Sequence, residues 1–172
     1  MADQVFESPY QWNLYSSAGR TSLGGTFLRT WRSSKGGFEL ILAEISIRSL
    51  WMNRSSENIS FHNLPEDFTV TLSQVIISRQ HVEELIEELD HWLDSPRELS
   101  KSLRPPYPND QDLKFNLRLA EQQTKLENAT CEVEYSGIAF PSGTWSFGVD
   151  QSCIRIFVSE LRDSLEKLGR AA

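Results

Sequence analysis

The feature that most limits what this chain can fold into is a pattern that occurs twice, 72 positions apart. Ser78-Arg-Gln-His-Val82 leads into Leu85, Ile86, Leu89 and Leu93, and Asp150-Gln-Ser-Cys-Ile154 leads into Phe157, Val158, Leu161 and Leu165. Ser and Asp side chains accept hydrogen bonds from the free amides of a first helical turn. Apolar residues recurring at the helical period then give the helix one oily stripe. Each pattern also follows a short alternating apolar stretch. Two capped amphipathic helices are therefore expected, each entered from a strand and lying on a sheet with its polar face in water.

The same shift lays Ile41, Ala43, Ile45 and Ile47 on Leu113, Phe115, Leu117 and Leu119. It lays Ile59 and Phe61 on Cys131 and Val133, and Val75 and Ile77 on Phe147 and Val149. Apolar parity is kept, as a strand with one buried face requires. Each half then reads strand, strand, strand, helix, over residues 38–94 and 110–168. Residues 1–37 supply an N-terminal segment and a hairpin strand. A duplication gives this order, and so do two unrelated β-meanders that each end in a helix. The expectation is a single α+β domain over 1–172: an antiparallel sheet or sandwich with two amphipathic helices.

Local signals mark the joints. Residues 1–21 hold Tyr10, Trp12 and Tyr15 among polar residues and read as an extended segment or edge strand. Residues 26–32 and 38–47 read as strands joined through Ser33-Ser-Lys-Gly-Gly37, whose glycines tolerate positive φ. Ser95-Pro96 stops the first helix, because the residue before proline is pushed out of the helical region. Arg104-Pro-Pro-Tyr-Pro108 reads as a stiff connector. Turns are expected at Glu127-Asn128 and Pro141-Ser-Gly143. The 49–58 loop carries Trp51, Met52 and Arg54, which are expected to plug one end of the core.

A chain of 172 residues with 39% hydrophobic and 24% charged content builds a core without disulfide staples. Cys131 and Cys153 read as single buried apolar positions. No apolar run is long enough to span a membrane, and the opening residues lack the features of a signal peptide. The Asn-x-Ser/Thr sites at Asn53, Asn58 and Asn128 carry little weight without one. The expected location is the cytoplasm. A net charge of −7 argues against nucleic acid or an anionic membrane as the main partner. Much of that charge lies in the first helix, where Glu83, Glu84, Glu87, Glu88, Asp90 and Asp94 occur with no Lys or Arg among them.

The search for chemistry finds no catalytic constellation. The glycines of Gly19-Arg-Thr-Ser-Leu-Gly-Gly25 lack the lysine of a phosphate loop, and neither a nucleophile elbow nor a Cys-x-x-Cys pair occurs. His62, His81 and His91 have no zinc-site spacing. Glu83, Glu84, Glu87 and His91 share enough of a helix face to hold a cation weakly, but a solvated face explains them as well. Asp150 fits a cap better than a general base. Cys153, in the first turn, fits a packed thiol better than a reactive one. No cofactor is implied. Among the tryptophans, Trp145 reads as core by parity with Phe147 and Val149. Trp12 and Trp31 are candidates for an exposed aromatic patch.

One resemblance is legible in layout. The unit over 75–93, the proline crossover, and the stretches Asp112-Leu-Lys-Phe-Asn-Leu-Arg-Leu, Thr130-Cys-Glu-Val-Glu-Tyr and Gly143-Thr-Trp-Ser-Phe-Gly-Val-Asp150 into a last helix resemble small bacterial domains of unknown function. These include WapI-type immunity proteins of contact-dependent toxin systems. The resemblance covers residues 68–168 and carries over no site residue. It implies a non-enzymatic protein-binding domain, with an immunity-type inhibitor as one form; the charge pattern of the first helix, separately, offers Glu84, Glu87 and Glu88 as its face for a basic partner. Trp31 and Trp12 are the further partner-binding candidates. The rival expectations are a small-molecule-binding β domain, with its ligand between sheet and helices or among Trp12, Trp31 and Trp51, and an enzyme of unrecognised type.

Overall fold

The computed structural model describes residues 10–17, 21–50, 67–105, 112–119, 129–136 and 143–171. Alternation becomes strand in β1 (Gln11–Tyr15), β2 (Thr21–Arg32), β3 (Glu39–Leu50) and β4 (Asp67–Ser78), which form one antiparallel sheet in that order. Helix α1 (Arg79–Asp94) follows β4 without a loop. A second antiparallel sheet then runs β5 (Leu99–Ser102), β6 (Asp112–Leu119), β7 (Ala129–Ser136) and β8 (Gly143–Val149), and helix α2 (Gln151–Leu168) follows β8. The α+β class is as expected. The loop expected over 49–58 starts two residues later, because Ser49 and Leu50 still belong to β3; its remainder and the expectations for Asn53, Asn58, Asn128, Trp51, His62, Ile59, Phe61 and the side chain of Trp145 lie outside the described residues.

Both helices start where the sequence places them. Ser78 Oγ accepts from the His81 amide at 3.4 Å, and Asp150 Oδ1 accepts from the Cys153 amide at 3.0 Å. Their stripes are buried: Leu89 and Leu161 are each only 2% exposed.

Among the described residues each sheet has four strands: β6, β7, β8 and α2 are the three strands and helix expected over 110–168, with β5 added ahead of them, while over 38–94 the described strands are β3 and β4 before α1. The 72-residue shift does match β4 with β8 and α1 with α2. It lays β3 on β6, however, and β3 is third in its sheet whereas β6 is second. Any two half-buried strands agree in parity, so alternation alone cannot tell one strand of a meander from its neighbour.

A second difference concerns docking. α2 packs chiefly on β1 and β2, the far sheet in sequence, while α1 touches β3, β4, β5 and α2. The cause lies at two corners where the sheets meet. The Ser78 amide donates to Leu103 O at 2.9 Å, and the Ser17 amide donates to Gly148 O at 2.9 Å. Each helix leaves its own sheet at such a corner and meets the first strand of the other half. The inner faces of both sheets and both helix stripes share one core, in which Trp12 stacks at a tilt on Phe27 and Phe157, and Phe157 on Phe115.

Candidate functional surface

The outer faces of the two sheets differ in chemistry. On the second sheet, register sets Asn116 opposite Glu132, and Lys114 opposite Glu134. Asn116 Nδ2 donates to Glu134 at 2.7 Å, its Oδ1 accepts from Ser100 at 2.6 Å, and Arg118 lies 3.7 Å from Glu132. These groups line a shallow groove of about 360 Å³. They mostly bond one another, so the groove is a cross-strand polar ladder.

The first sheet carries apolar groups on its outer face. Ile41, Ala43 and Ile45 point into the core, so Leu40 and Leu42 point outward. Leu40 is buried yet stands outside the core cluster. Register sets Trp31 beside Leu40, Arg29 beside Leu42, and Leu42 beside Ile76. The Arg29 guanidinium lies over the Trp31 ring, 4.7 Å from its centre. That contact combines charge–quadrupole attraction with apolar cover. Leu28, the extra residue of a bulge between Phe27 and Arg29, is 42% exposed, and Phe38 is 36% exposed at the hairpin end.

Trp12 corrects the expectation of one aromatic patch. It is 1% exposed and faces the core beside Gly25, on the opposite side of the sheet from Trp31. Parity in an isolated short strand does not say which face is buried, so only the packing decides this. Trp31 is half-buried.

Half of the acidic residues of α1 are neutralised from within. Glu84 pairs with Lys101, Asp90 with Arg162, and Glu83 with Arg170 at 3.0 Å. The Lys101 hydrogen bond, with help from Gln80, holds the Glu84 carboxyl below its usual range. Glu87, Glu88 and Asp94 have no ion pair among the described residues. One oxygen of Glu88 is buried there without a hydrogen-bond partner.

One charged cluster gave only a faint signal. Arg79, directly after the Ser78 cap, is buried and reaches the other helix. Its guanidinium donates to Gly169 O at 2.5 Å, to Leu165 O at 3.2 Å and to Glu39 Oε2 at 3.1 Å. A cation disfavoured at the start of α1 thereby sits at the end of α2, where the dipole favours it. Glu39 shares the inward parity of Ile41 and Ala43. A carboxylate at such a position needs a buried partner, and that was the readable hint.

The remaining candidates are structural. Asp150 caps α2: burial pulls its carboxyl upward, but donors on Ser152 and Cys153 outweigh this and leave it below its usual range. Burial raises both thiols, Cys131 to about 12. His81 Nδ1 meets Arg104 O at 2.7 Å, and the Trp92 indole donates to Arg97 O at 2.9 Å. Among the described residues no group of His, Cys, Asp and Glu is placed to hold a metal ion, and no helix is long and apolar enough to cross a membrane. No family model, curated protein or solved structure matches the chain.

Proposed function

We propose that this chain is a non-enzymatic, cytoplasmic protein-binding domain whose contact face is the outer side of the first sheet. The observation that carries the reading is Arg29 stacked on Trp31 beside Leu42 and Ile76, with Leu28 and Phe38 exposed nearby. Trp and Arg are the residues that most often anchor protein interfaces. The matching face of the second sheet is a self-satisfied polar ladder, so the apolar face is particular to one half. An immunity-type inhibitor remains one form that such a domain takes. The acidic helix supports that form less than its composition suggests, because half of its carboxylates are held by the chain's own cations.

The test is affinity purification from the native cell, with each captured protein then purified and titrated against the chain. Trp31→Ser with Leu42→Ser is expected to lose the partner. Lys114→Ala with Glu134→Ala is expected to keep it. Glu87→Lys with Asp94→Lys reports on the acidic face. Retention of the partner by the Trp31 and Leu42 variant, with loss in the Glu87 and Asp94 variant, moves the contact to α1 and ends the reading.

A further inference from the structure

We infer that the segment after α2, residues 169–171, is a latch that holds the β2–β3 hairpin in order and so governs the face that carries Trp31. This rests on the protein-binding reading above and adds its regulation. Among the described residues the head of the hairpin has little other support. The Phe27 amide donates to Tyr10 O at 3.0 Å, and past it β2 pairs with β3 alone. On the other side β4 ends at Ser78, opposite Leu40. Arg32 and Glu39, opposite one another, lie beyond both neighbours. A two-stranded hairpin by itself is marginal in water.

Glu39 is the point of attachment. It turns inward at the hairpin head, and its side chain is only 8% exposed. Its carboxylate accepts from Thr30 Oγ1 at 3.2 Å within the hairpin, from Arg79 at 3.1 Å and from the Ala171 amide at 3.1 Å. Arg170 lies 3.6 Å from it and donates to Glu83 of α1 at 3.0 Å. Arg32, though opposite Glu39, donates to Gly37 O at 3.1 Å. Thr30 is the residue before Trp31, and Leu40, the one after Glu39, pairs with Trp31. The segment is Gly-Arg-Ala, without a large apolar side chain, so polar bonds hold it and it can leave without opening the core. Its departure strips donors from a buried carboxylate, which then has to draw water into the hairpin head. Release of the segment and loosening of Trp31 are thus one event.

The test is amide exchange on the full chain, read by NMR, with two variants that leave the hairpin's own residues untouched. Gly169→Val strains the left-handed backbone, φ 76°, that aims the segment, and Arg170→Ala removes its ion pairs. Each should speed exchange at Trp31 and at Ser33, whose amide donates to Phe38 O, about threefold or more. Exchange at residues 22–26 should stay slow. Each variant should also weaken binding of the protein captured above, by about the same factor. Lys167→Ala, exposed on the last turn of α2, should do neither.

Unaltered exchange at Trp31 and Ser33 in both variants would overturn the latch, whatever happens in the last turn of α2. So would quicker exchange there with undiminished binding of a protein that the Trp31 and Leu42 variant loses. Quicker exchange at Trp31, with a captured protein that the Trp31 and Leu42 variant still binds, would keep the latch and end the protein-binding reading alone.

Discussion

Gly25 faces the core directly opposite Trp12, and a Cβ there would lie 2.1 Å from the indole ring. The ring rests where only a bare backbone leaves room. Its Nε1 has no hydrogen-bond partner among the described residues, so packing has to outweigh that loss. Gly25→Ala should therefore cost about 1–3 kcal/mol of unfolding free energy, as overpacked cores do. Urea titration followed by tryptophan fluorescence reads this, and an unchanged midpoint would remove the steric account. Asp150 makes a different residue-scale case. Its carboxyl titrates below the usual range in the folded chain because Ser152 and Cys153 donate to it. The unfolded chain therefore takes up the proton first as pH falls. The stabilisation is complete above the ordinary carboxylate range, near pH 4, and is lost as pH drops through the lower folded value. Asp150→Asn still caps the helix but does not titrate. Its stability should depend less on pH in the acid range than that of the unchanged chain, as thermal melts across that range would show.

At the scale of elements, the most consequential contact joins β1 and α2. β1 is a short edge strand, and an open edge leaves backbone groups that invite pairing with other chains. Here α2 covers part of that edge. Glu160 accepts from the Asn13 amide at 2.7 Å, and Ser164 donates to Gln11 O at 2.9 Å. The two helix residues are one turn apart, and the two strand residues are one pleat apart, so helix and strand spacing coincide. Ser164 is a buried polar residue beside the apolar stripe of α2, which is the trace of this contact in the sequence. Removing both groups, Glu160→Ala with Ser164→Ala, takes away about 1 kcal/mol for each bond. Amide exchange at Asn13 should quicken while exchange in β3 stays slow. Equal protection at Asn13 before and after would show that the side chains do not hold the edge.

For the whole molecule, the crossing of α2 to the first sheet ties the two halves into one core. Neither half keeps its own oily surfaces covered, because the stripe of α2 needs β1 and β2, and α1 touches β5 as well as its own sheet. Arg79 adds a polar tie between the start of α1, the end of α2 and the head of β3. Fragments 1–96 and 97–172 should therefore stay unfolded apart and regain structure when mixed, read by far-ultraviolet circular dichroism and amide spectra. A folded second fragment alone would contradict this account. The sequence by itself determined the class, both helices to the residue at their starts, the β2–β3 hairpin, and the apolar stripe that each helix turns to the core. Those follow from capping and periodicity, which act over a few neighbouring residues. What it left undecided was long-range: β5 beside β6, α2 resting on the opposite sheet, Trp12 inside and Trp31 outside, and three of the six acids of α1 answered by Lys101, Arg162 and Arg170. Period-2 alternation is blind to strand order and to which sheet a helix meets, and charge composition is blind to who sits opposite. Only the folding of distant segments against each other decides those matters.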